Sequence, residues 1–107
     1  MTTTDFENII ATDRLTLVAF LLPWCGPCRT IEPQLERVAQ TMSHICTVIK
    51  INVALAEHRT IVSRHKILAL PSLLLFRCSE PLSRIVGIVS YERLLAILRN
   101  AQVVGDY

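Results

Sequence analysis

Leu15-Thr16-Leu17-Val18-Ala19-Phe20-Leu21-Leu22, running into Pro23-Trp24-Cys25-Gly26-Pro27-Cys28, is the stretch that decides how this chain folds. Eight nearly all-apolar residues with no polar alternation read as a strand covered on both faces, as in the middle of an α/β sheet. Pro23 ends the run. Two thiols then follow three residues apart, with an aromatic residue before the first and Gly-Pro between them. A cysteine pair at a strand-to-helix junction is a redox signature in an intracellular protein.

Downstream, Ile31, Leu35, Val38 and Met42 recur at spacings of three and four, with Glu32, Glu36, Arg37 and Gln40 on other faces, which predicts a helix from Cys28. Pro33 should kink it, because proline removes one backbone bond and crowds the previous turn. Cys46 to Val53, mostly β-branched, is a second strand, and Ala56 to about His65 a shorter helix. Pro71 opens a third strand, Ser72 to Arg77, and Ser79-Glu80-Pro81 makes a turn. Leu82 to Val89 is a fourth strand with Gly87 inside it, which predicts a bulge or a close backbone approach. Ser90 caps a last helix whose Leu94, Leu95, Ile97 and Leu98 face the core, and the tail from Gln102 is expected to fray. Upstream, Thr4 and Glu7 have capping-box spacing for a first helix through Phe6, Ile9 and Ile10. Strands alternating with helices imply crossovers and a parallel pair, and the short turn before the last strand implies an antiparallel hairpin. The expectation is an α/β three-layer sandwich on a mixed sheet.

The 107 residues fit one domain, and a chain 51% hydrophobic and 19% charged has enough apolar material to bury a core. A formal charge of +2 and six aromatic residues give no electrostatic or stacking case for nucleic acid or an anionic membrane. No stretch approaches the roughly 20 apolar residues of a membrane helix. The start, Met1-Thr2-Thr3-Thr4-Asp5, lacks the basic and apolar regions of a secretory signal, so a cytoplasmic location is expected. Four cysteines in such a chain point to catalysis or metal binding sooner than to a disulfide framework. No phosphate-binding glycine loop is present, and no bound nucleotide or other cofactor is expected.

The chain resembles the thioredoxin family. The residues that carry the resemblance are Trp24-Cys25-Gly26-Pro27-Cys28-Arg29 after an apolar strand, Pro33 in the following helix, Leu70-Pro71-Ser72-Leu73-Leu74-Leu75-Phe76, and Gly87. The likeness runs from about Phe6 to Arg99, which implies a single thioredoxin domain over residues 1–107 with its core at about 6–99. The fold it implies is a three-layer α/β/α sandwich on a central mixed sheet of four strands, or five if a first strand forms. By resemblance, Cys25 is the exposed nucleophile and Cys28 the resolving thiol, the two forming the redox-active disulfide. Trp24, Gly26, Pro27, Pro71 and Lys50 would support the site, Pro71 as a cis-proline facing the dithiol and Lys50 as a buried lysine. Trp24, Leu70, Pro71, Val86 and Gly87 would form the docking surface for clients.

The implied activity is reduction of protein disulfides through a mixed disulfide, and the implied partners are disulfide-containing client proteins and a flavin- and NADPH-dependent thioredoxin reductase. A monomer is expected. Thiol–disulfide exchange requires a thiolate, and a helix N-terminus with its unpaired N–H groups and partial positive charge stabilises one. Cys28, one turn along, lies within reach to resolve a mixed disulfide. Pro27 removes a donor that the helix start leaves unpaired anyway.

Three positions depart from the family pattern. Ala19 stands where the family has a buried aspartate, Leu21 replaces a tryptophan, and the short N-terminus should reduce or remove a first strand. Without a carboxylate at position 19, deprotonation of Cys28 would depend on water or the departing thiolate, giving a slower reductase that Asp at position 19 should speed. Other readings of the same residues stand beside this one. The Cys pair could be half of a zinc site completed by Cys46 with His44, or by Cys78, although no second CxxC exists. Cys46 and Cys78 read as partly buried strand-edge thiols held apart by the motif strand, and Lys50 between Ile49 and Ile51 could point its amine to solvent. His44, His58 and His65 fall where they would be solvated. The alternatives in function are an adaptor that uses the docking surface without turnover, or an oxidant or isomerase.

Overall fold

Strand β1 (Leu15–Leu21) is buried along its entire length because it has a strand on each side and helices on both faces. The computed structural model describes residues 1–105 of the chain, and side chains as far as residue 102. In chain order the elements are α1 (Thr3–Ile10), β1, α2 (Gly26–Thr41), β2 (Cys46–Asn52), a 3-10 turn (Ala56–His58), α3 (Arg59–Arg64), β3 (Ser72–Arg77), β4 (Glu80–Val86) and α4 (Tyr91–Gly105). The sheet order is β2-β1-β3-β4. β1 runs parallel to β2, from Leu15 opposite Cys46 to Leu21 opposite Asn52. It runs antiparallel to β3, with Phe20 opposite Ser72 and Thr16 opposite Phe76. This is the expected four-stranded mixed sheet, and among the described residues no strand precedes β1.

The period-two geometry of β1 divides the core. Leu15, Leu17, Ala19 and Leu21 join Cys28, Ile31, Leu35 and Val38 of α2 and Leu94 and Leu98 of α4. Val18 and Phe20 join Phe6 and Ile10 of α1, Ile61 of α3, and Leu74 and Phe76 of β3. Burying each of these large side chains contributes about 1.5–3 kcal/mol, so β1 anchors both layers.

Several local expectations are corrected. Helix α1 is capped by Thr2, not Thr4: Thr2 Oγ1 accepts from the Asp5 amide at 3.0 Å, and Asp5 Oδ2 accepts from the Thr2 amide at 3.3 Å. Glu7 is instead paired with Arg64 of α3. Helix α2 begins at Gly26, two residues earlier than expected, and continues through Pro33. The hairpin turns at Cys78-Ser79, both at positive φ (50° and 67°), which matches the twist of the flanking strands. The Cys78 and Ser79 amides donate to Thr12 O and Ile10 O at 2.8 and 2.9 Å.

Pro81 lies inside β4, opposite Phe76, where the register shifts between Leu75 and Phe76. A proline is tolerated there because β4 is an edge strand. The bulge is therefore at Leu75–Phe76, while Gly87 follows the strand at φ +91° and makes the other expected feature, a close backbone approach, to Pro71. Ser90 caps α4 as expected, accepting from the Arg93 amide at 3.1 Å. Helix α4 continues past Gln102 to Gly105, against the expectation of fraying there, and the rest of that tail lies outside the described residues. No helix among the described residues is long and apolar enough to cross a membrane.

Candidate active site

The carboxyl-terminal end of β1, the first turn of α2, the start of β3 and the end of β4 converge at one end of the sheet. Register fixes this: Phe20 is opposite Ser72, and Ser72 is opposite Val86. The site residues expected on Trp24–Cys28, Leu70–Pro71 and Val86–Gly87 therefore share that end. The Leu70–Pro71 bond is cis, and the Gly87 amide donates to Pro71 O at 2.9 Å, joining two of these segments.

Cys25 is the N-cap of α2, with extended backbone (φ −89°, ψ 121°). Its Sγ accepts a hydrogen bond from the Cys28 amide at 3.2 Å, so the sulfur occupies the place of an N-cap oxygen on the unpaired donors of a helix start. The helix dipole favours negative charge at this position. Cys25 is half-exposed, Cys28 is fully buried, and both are free thiols. Burial, then the hydrogen bond with Cys25, push the Cys28 thiol above its ordinary range; a hydrogen bond with the Leu22 backbone pulls it down, and the nearby charge of Glu32 pushes it up again. Pro27 occupies the first turn, where its missing N–H costs nothing. A Cβ on Gly26 would meet nothing within 4 Å, so that side of the dithiol is open.

The rim is apolar. Trp24 is 70% exposed, Val86 55% exposed, and Leu70 half-buried, while Pro71 is buried beneath them. Beneath the dithiol, Ala19 is fully buried in the same cluster as Cys28.

Lys50 is neither the expected buried lysine nor a free surface amine. It is opposite Ala19 in the sheet, but with β2 at the sheet edge and no carboxylate on Ala19 its amine turns to α2. There it donates to Glu36 Oε1 at 2.6 Å and lies 3.6 Å from Glu32 Oε2. The Glu36 hydrogen bond is the main reason its pKa is raised. A cavity of about 200 Å³ opens between β1, β2 and α2, lined by Leu21, Leu22, Pro23, Glu32, Lys50, Ile51 and Asn52. The sequence pattern sets Glu32 and Glu36 off the apolar face of the helix and assigns them no partner. Their i,i+4 spacing, which puts both on one side of the helix, was the available signal for a shared partner.

A larger hollow, about 500 Å³, lies between β4 and α4 around Leu82, Ile97 and Ala101, away from the dithiol. Cys46 and Cys78 are at the opposite end of the sheet with β1 between their strands; Cys46 is buried, Cys78 exposed, and neither is bonded. Among the described residues no group of three or more His, Cys, Asp or Glu side chains gathers to hold a metal. Two histidines are not solvated as expected. His58 is buried with Nδ1 2.7 Å from Asn52 O, and His65 packs edge-on against Phe6 and Phe76.

Comparison with known proteins gives a consistent result. A family model described as Thioredoxin matches residues 1–100. A thioredoxin of Alicyclobacillus acidocaldarius subsp. acidocaldarius is 38% identical over 102 residues, covering 94% of this chain and 95% of that one. Thioredoxin Y1, chloroplastic, of Arabidopsis thaliana is 33% identical, covering 91% of this chain and 56% of that one. Among solved structures, thioredoxin from Trypanosoma brucei brucei superposes with a TM-score of 0.83 at 30% identity, covering 94% of this chain and 86% of that one.

Proposed function

The chain belongs to the thioredoxin family and is a thiol–disulfide oxidoreductase acting on disulfide-containing substrates, and from that premise we propose that Cys25 and Cys28 carry the reaction as nucleophile and resolving thiol. The observation that carries this assignment is the Cys28 amide donating to Cys25 Sγ at the capped start of α2. Cys25 as thiolate attacks a client disulfide; one client sulfur leaves as thiolate, and the other remains bonded to Cys25. Cys28, deprotonated, attacks Cys25 Sγ, forming the Cys25–Cys28 disulfide and releasing the second client thiolate. Two electrons pass from the dithiol to the client. Half-exposed Cys25 meets the client, and buried Cys28 is shielded from it, which keeps the order of attack fixed.

Trp24, Leu70, Pro71, Val86 and Gly87 form the client-docking surface in this reading, supported by their common position at the dithiol end and by the exposed apolar area of Trp24 and Val86. Gly26 and Pro27 hold the turn between the sulfurs, and Lys50 supports the site through α2. The chain acts as one domain over residues 1–107, with its core at about 6–99, as a monomer in the cytoplasm. Its clients are proteins rather than nucleic acid or membrane, and it passes electrons in a transport chain fed by a flavin- and NADPH-dependent thioredoxin reductase. Four free thiols fit a reducing compartment.

The test is oxidation of NADPH in the presence of a thioredoxin reductase, this protein and a disulfide-containing protein. Sustained oxidation that needs both cysteines supports the reading, and none would leave an adaptor. A Cys25–Cys28 reduction potential well below that of glutathione supports a reductase over an oxidant or isomerase.

A further inference from the structure

Release of the client requires Cys28 to lose a proton while buried, and burial pushes that thiol the wrong way. The strand beneath it offers only Ala19, which cannot accept a proton. One residue away, a cavity lined by Leu22 has a carboxylate in its wall. Glu32 follows Cys28 by four residues on α2, so the two lie on one side of the helix, one turn apart. Leu22, whose backbone meets Cys28, lines the same cavity as Glu32. About 200 Å³ with Glu32, Lys50 and Asn52 in its walls has the size and polarity to admit water.

We propose that Glu32 is the group that accepts the Cys28 proton during resolution, reached through this cavity. The inference rests on Cys28 being the resolving thiol. The S–H bond of Cys28 breaks, its proton passes by way of water to the Glu32 carboxylate, and the electron pair left on sulfur attacks Cys25 Sγ. The Cys25–client S–S bond breaks, and the client leaves as a thiolate. Glu32 then returns its proton to solvent through its exposed side.

The other polar groups in these walls are unsuited to the task. Lys50 is already protonated, with its pKa raised by its partners, and the Asn52 amide is not a base. Glu36 holds Lys50 at 2.6 Å and does not line the cavity. Glu32 keeps the looser 3.6 Å contact, which leaves its oxygens free for water while Lys50 fixes the carboxylate's position. The ionisable side chains whose charge bears on Cys28 are Cys25 and Glu32.

Stopped-flow mixing of the reduced protein with a peptide activated as its thionitrobenzoate mixed disulfide separates the two steps. Attack by Cys25 releases the coloured thiolate. Closure of the Cys25–Cys28 disulfide then changes the fluorescence of Trp24, the chain's single tryptophan. Glu32→Gln should leave the first phase unchanged and slow the second about tenfold or more at neutral pH. The same substitution removes a negative charge near Cys28, so thiolate absorbance in a Cys25→Ser background should show Cys28 titrating lower than before.

A slower step with a more acidic thiol is a pairing that simple electrostatics does not produce, since charge removal alone would speed the step. An unchanged or faster second phase in Glu32→Gln overturns the proposal. So does an equal slowing in Glu36→Gln, which would assign the effect to the Lys50 pairing. A wild-type protein with no second phase would overturn the resolving role of Cys28 itself, a failure visible before any variant is compared.

Discussion

Two pairs of cysteines lie at opposite ends of one strand, and their surroundings differ. At the carboxyl-terminal end of β1, Cys25 sits on the open donors of a helix start with Cys28 one turn behind it. At the amino-terminal end, Cys46 begins β2 and Cys78 occupies the hairpin turn after β3, with β1 interposed. Cys46 is buried in the core, and its thiol is pushed up to about 11, chiefly by that burial. Cys78 is exposed but has no second cysteine within four residues of it along the chain. The difference lies in the backbone around each sulfur. A thiol becomes a redox group where the chain supplies both an anion-stabilising helix end and a second sulfur within reach.

The largest expected effect breaks the comparison at its root. Cys25→Ser should reduce NADPH-linked turnover by more than about 10³-fold, while Cys46→Ala/Cys78→Ala together should leave it within about twofold. A marked loss in the double variant would show that the far pair participates.

The next prediction concerns stability at the end that holds Cys46. Cys46 is raised in the folded state from 9.0 to about 11, so the protonated thiol is favoured by folding. Its contribution, of the order of 2–3 kcal/mol, is present in full below about pH 9 and lost as pH rises through about 11. Urea unfolding at pH 8 and pH 11 should show a steeper alkaline loss in wild type than in Cys46→Ala; parallel losses would contradict the burial argument.

A third change addresses how the dithiol end meets its clients. Val86→Glu places a charge on the apolar rim, and it should raise KM for a protein disulfide severalfold, about 1 kcal/mol, with kcat and the rate on a small disulfide little changed. Equal effects on both substrates would place the damage at the sulfurs instead. The smallest effect is expected from Lys50→Met. Its two ion pairs are solvent-exposed, so stability should fall by less than about 1 kcal/mol, and by less still at high salt.

The dithiol end was the more legible of the two in the sequence. An unbroken apolar run ending in Pro23-Trp24-Cys25 carries its meaning locally, since strand, stop and helix start are adjacent in the chain. So does Ala19, whose position two residues before Leu21 settles which face it takes. Contacts made across space were not legible. Nothing near Lys50 announces Glu32 and Glu36, 14 to 18 residues earlier, and the missing carboxylate at Ala19 is a feature of the strand that says nothing of the helix. The cap of α1 was misplaced because Thr2 and Asp5 compete with Thr4 and Glu7 for the same motif, and the pairing of Glu7 with Arg64 on α3 removes the second set. The hairpin differs from its expected place because Pro81 has the chemistry of a turn residue, whereas the edge position of β4 tolerates it in a strand.

The central place of β1 also has a consequence for how the protein is made. Its parallel neighbour ends at Asn52, but its antiparallel neighbour begins only at Ser72. During synthesis at roughly 5–20 residues per second, one flank of that oily strand waits on the order of one to four seconds for its cover. Throughout that interval the most insoluble segment of the chain is open to neighbouring nascent chains. Crowding among nascent chains is therefore a condition under which this fold is exposed to misassembly.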